Sequence, residues 1–164
     1  MQPHVYAIAI GSNRRHGRHG APQAIVRASI SAIGAVGLTI MARSPIIATP
    51  ALGPAGRSFA NAAIMVATTL DPPALLGLLK AIEGDFGRRR GRRWGPRVLD
   101  LDIVLWSGGR WQSSRPRLFV PHREIANRLF VLQPLLPIAG DWRIGRGHLR
   151  VRHAHHRLRH HRAG

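Results

Sequence analysis

The sequence predicts an α+β fold built on one antiparallel sheet. Two observations carry that expectation. Four segments (5–13, 38–50, 59–70 and 98–106) have the alternation or β-branched content of strands. Two segments beginning at 22 and 71 have apolar residues at helical spacing and proline-marked starts. Their order is β-α-β-β-α-β followed by a helical end, which matches the ferredoxin-like sandwich with its helices packed on one face of the sheet. A chain of 164 residues that is 45% hydrophobic suits one domain with a single core.

Each element has its own signal. "VYAIAIGSN" reads as a strand buried on both faces and then a sharp break. "RRHGRHG" is a polar loop, and Pro22 suits a first helical turn. Ile25, Ala28, Ala32 and Val36 recur at helical spacing, Ile30 and Ile33 widen the stripe, and Gly37 is the expected stop. "LTIMARSPIIATP" is extended, with Pro45 marking an edge or a bulge. "FANAAIMVATTL" has alanines that favour helix, but its flanking turns and β-branched residues favour strand, which is the reading adopted. Asp71 before Pro72 and Pro73 is a helix start, with Leu75, Leu76, Leu79 and Ile82 facing inward and Gly87 at the end. "RRRGRR" requires an exposed loop, and "VLDLDIVLW" is the next strand. "RWQ" after the turn at 107–109 begins a short return strand, and "RLFVPH" is extended up to Pro121. "REIANRLFVLQPLLPIAG" reads as helix with a kink or end at Pro134.

The net charge of +18 points to an anionic partner. Its distribution narrows the choice. Residues 143–164 hold seven Arg, six His and no acid, and read as a disordered or irregular basic tail behind a domain of residues 1–142. Such a tail has the side chains to bind metal through histidines or anions through arginines. Six further arginines crowd between 88 and 97, beside carboxylates, which suits a phosphate site. There is no cysteine, so thiolate catalysis, thiolate metal sites and disulfides are excluded. With no secretory signal at the N-terminus and no apolar run of membrane-spanning length, the cytoplasm and no membrane partner are expected.

The stretch "RWGPRVLDLDIVLW" concentrates the chemistry. On a strand, Asp100 and Asp102 project from one face, about 7 Å apart, while Leu99, Leu101 and Ile103 take the other. Two such carboxylates repel unless a cation lies between them, and Mg²⁺ prefers this oxygen chemistry with phosphates completing its shell. Arg88, Arg89, Arg90, Arg92, Arg93 and Arg97 suit a polyphosphate. Carboxylates, arginines and a glycine-bearing loop together describe phosphoryl transfer, without a Walker P-loop. His122, after Pro121, has the chemistry for a phosphate contact or proton transfer.

These residues resemble the signature of the 6-hydroxymethyl-7,8-dihydropterin pyrophosphokinase family. "AIAIGSN", "TPALGP", "FANAA", "IEGDFGR" and "VPHREIANRLFVLQPL" are similar to family segments in family order, covering residues 5 to about 142. The resemblance implies transfer of pyrophosphate from the co-substrate ATP to the hydroxymethyl group of a pterin, in folate biosynthesis. It implies two Mg²⁺ ions on Asp100 and Asp102. It implies phosphate closure by Arg88 and Arg93, with Arg97 and Trp94 in or beside the mobile loop and nucleotide site. Thr49, Pro50, Leu52, Phe59 (in place of a usual tyrosine), Asn61, Arg128 and Phe130 would form the pterin side, together with Trp94. Glu83, His122 and Arg123 would form the nucleotide side, with Arg123 standing where an aromatic is common. A monomer is expected. The competing expectation is a ferredoxin-like nucleic-acid-binding module using the basic surface and tail, but one Tyr and four Phe give little material for base stacking.

Overall fold

The computed structural model describes residues 2–13, 20–49, 58–87, 98–145 and 147–162. The elements are β1 (His4–Ser12), α1 (Pro22–Ala35), β2 (Thr39–Arg43), β3 (Ile47–Thr49), β4 (Phe59–Thr68), α2 (Pro72–Gly87), β5 (Asp100–Trp106), β6 (Trp111–Ser114), β7 (Arg117–Val120), α3 (Leu129–Ala139) and α4 (Val151–His161). The main sheet runs β2-β4-β1-β5, with β3 also paired to β4, and every pairing is antiparallel. The β6–β7 hairpin forms a second, two-stranded sheet, so "RWQ" opens a hairpin strand outside the main sheet.

Strand alternation sorts the core into two layers. Tyr6, Ile8 and Ile10 of β1, Ile64 and Val66 of β4, and Leu101 and Ile103 of β5 face one side. There they meet Ile25, Val26, Ile30 and Ile33 of α1 and Leu75, Leu79 and Ile82 of α2. Ala7, Ala9, Ala63 and Met65 face the other side, where Val131, Leu132 and Leu135 of α3 cover them. Small alanines let that helix lie close to the sheet. Helices therefore cover both faces, which corrects the one-face expectation. The late apolar segment that packs there is long enough to bury the second face, which would otherwise expose a large apolar surface.

Local chemistry explains most boundaries. The Asp71 carboxylate accepts from Ala74 N–H at 2.9 Å, an N-cap ahead of the two prolines. Gly37 sits at φ +94°, where a side chain would be strained, and ends the α1 region. Pro45 separates β2 from β3. Next to it Ser44 bonds to Ala63 through both its backbone N–H and its hydroxyl, at 2.8 and 2.9 Å. In α1 the buried stripe is Ile25, Val26, Ile30 and Ile33, and Val36 is exposed. The branched residues choose the inward face, and the small alanines used in the sequence reading do not discriminate. The last core helix starts at Leu129, after a 3-10 turn at Ile125–Asn127, and continues through Pro134 and Pro137. Leu132 and Leu135 are fully buried on either side of Pro134, and that burial offsets the lost backbone bond.

The basic tail differs most from expectation. Residues 151–161 form α4, packed on α3. Val151, Ala154 and His155 are buried at i, i+3 and i+4, and Leu158 extends the stripe. Val151 alone is worth about 1.5–3 kcal/mol on full burial. The ion pair from Arg152 to Asp141 joins two exposed side chains and contributes well under 1 kcal/mol. Apolar burial, not charge, seats the helix. Burial first, then repulsion from Arg159 and the neighbouring His156, hold the His155 imidazole below its ordinary value, which favours the neutral ring at this seat.

Tyr6 gives this core a spectroscopic handle, being the only tyrosine. It is fully buried, its hydroxyl donates to Leu70 O at 2.6 Å, and Trp106 stacks at 6.2 Å. Burial, with the Asp71 carboxylate adding to it, pushes the phenol from 10.0 up to about 12. A value raised in the folded state gives stability that is complete below pH 10 and lost as pH rises towards 12. Tyrosinate difference absorbance should therefore titrate near 12 in the folded chain and near 10 in denaturant. A folded-state midpoint near 10 would contradict the packing.

Candidate active site

β1 is paired on both sides, and this sets the floor of the site. Gly11 lies opposite Asn61 of β4 and opposite Asp100 of β5. Residues directly opposite in an antiparallel ladder project to the same face. Asn61 and Asp100 therefore rise on the α3 side with only a glycine between them. A Cβ at Gly11 would stand 3.2 Å from Asn61 Oδ1, so glycine keeps this gap open. In the next row Ala9 lies opposite Ala63 and Asp102, and at the strand mouth Thr49 lies opposite Phe59.

A cavity of about 460 Å³ opens over this floor, lined by Ser12, Asn13, Thr49, Phe59, Asn61, Asp100, Asp102, Arg128 and Phe130. Phe59 is 43% exposed and Phe130 54% exposed, although both are large apolar rings. Each ring gains on burial, so the pair suits a flat ligand with polar edges, for which Asn61 offers both donor and acceptor.

A second cavity of about 450 Å³ meets the first at Asp102. Its lining includes Lys80, Arg117, Phe119, His122 and Arg123, a cationic set suited to phosphates. The Arg123 guanidinium lies 3.7 Å from the centroid of the Phe119 ring, and Arg117 lies 5.9 Å from it. His122 is tied to β5 through its N–H to Val104 O at 3.1 Å. Val104 is the extra residue of a bulge, since Ala7 pairs with Leu105 and Ile8 with Ile103. His122 Nδ1 accepts from Glu124 N–H at 3.1 Å, so the neutral ring carries its proton on Nε2.

Glu83 lines neither of these two cavities. Its carboxylate is buried and accepts from Leu101 N–H at 2.7 Å, between the two aspartates, and Lys80 Nζ lies 3.1 Å away. The half-exposed lysine limits the ion pair to roughly 1 kcal/mol or less. The buried charged hydrogen bond is worth about 1.5–3 kcal/mol and contributes more than the ion pair. Glu83 thereby holds the start of β5 in place.

Of the residues picked from sequence, Thr49, Phe59, Asn61, Asp100, Asp102, Arg128 and Phe130 converge on the first cavity. His122 and Arg123 line the second. Pro50, Leu52, Arg88, Arg93, Trp94 and Arg97 lie outside the described residues. The sequence reading missed Ser12, Asn13, Lys80, Arg117 and Phe119. The strand-ending "GSN" signalled the first two, and Lys80 is the one lysine of the chain, a signal the reading did not use; Arg117 is one arginine among many and carried none. Among the described residues no three His, Cys, Asp or Glu side chains converge as a metal site, so the Asp100–Asp102 pair is a two-carboxylate set. None of the described helices is long and apolar enough to cross a membrane.

Residues 7–140 match the family described as 7,8-dihydro-6-hydroxymethylpterin-pyrophosphokinase. The chain belongs to this family. A pyrophosphokinase relative from Pseudomonas aeruginosa, a 2-amino-4-hydroxy-6-hydroxymethyldihydropteridine pyrophosphokinase by name, is 40% identical over 149 residues, 90% of this chain and 87% of that protein. A relative of the same name from Haemophilus influenzae is 38% identical over 136 residues, covering 82% of this chain and 81% of that one. Among solved structures, an HPPK-DHPS in complex with substrates superposes at TM-score 0.70 with 11% identity, over 96% of this chain and 45% of that one. The wild-type Plasmodium falciparum HPPK-DHPS gives 0.69 with 12% identity, over 95% and 41%. At that identity the likeness establishes the pyrophosphokinase fold, and this chain spans less than half of those longer proteins.

The Glu83 clamp is open to measurement. Glu83→Ala should lower unfolding stability by about 1.5–3 kcal/mol in urea titration, while Glu83→Gln, whose amide oxygen can still accept, should lose less. Equal losses would show that the carboxylate does not act through Leu101 N–H.

Proposed function

We propose that the chain transfers pyrophosphate from ATP to the hydroxymethyl group of 6-hydroxymethyl-7,8-dihydropterin, releasing AMP. The observation that carries this reading is the shared residue. Asp102 lines both the aromatic cavity and the cationic one, so it stands where two ligands meet. The pterin would lie against Phe59 and Phe130, with Asn61 at its edge and Thr49 and Arg128 beside it. Lys80, Arg117, His122 and Arg123 would hold the nucleotide, and Glu83 would position the metal carboxylates rather than touch ATP. The roles of Arg88, Arg93, Arg97, Trp94, Pro50 and Leu52 rest on the family resemblance. The sheet order β2-β4-β1-β5 supports a ferredoxin-like plan for the core. A monomer is proposed as the active unit.

The donor set fits Mg²⁺. Asp100 and Asp102 are both oxygen ligands on one sheet face, with Gly11 leaving room beside them, and phosphates would complete the shell. Two ions are proposed. When bound, they supply charge neutralisation and make the acceptor hydroxyl more acidic. The chain's own residues do the rest. The first cavity orients the hydroxymethyl oxygen towards the β-phosphorus, and the second holds the AMP leaving group opposite it. The bond from that oxygen to the β-phosphorus forms as the bond from the β-phosphorus to the bridging oxygen breaks; the bridging oxygen leaves on AMP, and the hydroxyl proton passes to water. Lys80, Arg117 and Nε2 of His122 are donors suited to the charge that accumulates on the departing phosphate.

AMP formation from ATP should require both the hydroxymethyl pterin and Mg²⁺. Asp102→Asn should lower kcat/KM by about a hundredfold or more. Pterin-independent AMP release, or full activity in that variant, would overturn the assignment.

A further inference from the structure

We propose that His156 and His160, on the outer face of α4, form a second metal site, which binds one borderline transition-metal ion of the Zn²⁺, Ni²⁺ or Cu²⁺ class. The two residues are four apart on the helix, so their side chains stand one above the other on consecutive turns. Their ring centroids are 4.2 Å apart, with the ring planes at 65°. Both are exposed, so an ion reaches them directly from solvent. The helix beneath them is anchored by Val151 and Ala154, which fixes the backbone spacing before any ion arrives. This preformed spacing is what a two-imidazole chelate needs.

The ligand chemistry separates this site from the carboxylate pair. Imidazole nitrogens select borderline ions, whereas Asp100 and Asp102 offer only hard oxygens. Since no three such donors converge among the described residues, the protein supplies two ligands and solvent completes the shell. Arg152, Arg157 and Arg159 are exposed on the same helix. Their repulsion weakens binding without abolishing it, because neutral imidazoles carry the coordination and the guanidiniums remain screened by water. An ion bridging two turns ties the C-terminal helix together, so occupancy raises the stability of the seat that α4 makes on α3.

The test is calorimetric titration of the full chain with NiCl₂ and with ZnCl₂, in excess Mg²⁺ to fill the oxygen site. Wild type should bind one equivalent. His156→Ala and His160→Ala should each weaken that binding at least roughly tenfold, since each leaves one ligand without its chelate partner. His148→Ala, outside α4, should bind as wild type. Thermal unfolding should show a metal-dependent rise in Tm for wild type and His148→Ala, and none for the His156→Ala/His160→Ala double variant. AMP formation with Mg²⁺ should be equal in all of these, which confirms that each is folded. Undiminished binding in the double variant, or no binding by wild type, would overturn the proposal.

Discussion

The placement of β1 between β4 and β5 is the constraint on which the site depends. A strand paired on both edges fixes two registers at once. Gly11 is thereby held opposite Asn61 and Asp100 together, and Ala9 opposite Asp102. A slip of one residue on either side would turn the carboxylates towards the α1–α2 layer, where Leu101 and Ile103 now sit. Burial of those two side chains therefore does more than stabilise the sheet. It keeps Asp100 and Asp102 on the open face.

The two faces divide the work. Large branched residues fill the α1–α2 side, which among the described residues is a packed core. On the α3 side the alanines Ala7, Ala9 and Ala63 admit a close helix, and among the described residues a cavity opens over the sheet beside its first turn. The cavity end holds the polar row, and Arg128 and Phe130 at the start of α3 form its wall. Glu83 reaches across from α2 to fix Leu101 N–H, so the packed α1–α2 layer supports the strand that carries the two carboxylates.

Much of this was legible in the sequence because it rests on short-range rules. Period-two alternation placed Asp100 and Asp102 on one face, and Asp71 before two prolines marked the start of α2. The other five residues that converge on the first cavity, Thr49, Phe59, Asn61, Arg128 and Phe130, were named from the motifs that resemble the pyrophosphokinase family. What the sequence hid was set by tertiary packing. The inward face of α1 turned on which apolar residues are bulky, and a stripe that included alanines pointed partly the wrong way. α3 runs past Pro134 because its neighbours are buried. α4 was concealed by composition: Val151, Ala154 and Leu158 at helical spacing suffice to seat it, although Arg and His dominate the count. Arg117 could not be told from the other arginines until the fold brought it beside Asp102, and Lys80, the one lysine, stood out by type but not by place.

The central claim is that the carboxylate pair on one strand, through Asp102, joins an aromatic pocket to a cationic one. Calorimetric titration with a non-hydrolysable ATP analogue, with and without Mg²⁺, tests it most directly in wild type and Asp102→Asn. The account predicts that Mg²⁺ strengthens analogue binding in wild type, that this strengthening is lost in the variant, and that pterin binding against Phe59 and Phe130 persists in both. Equal Mg²⁺ dependence in wild type and variant would contradict it.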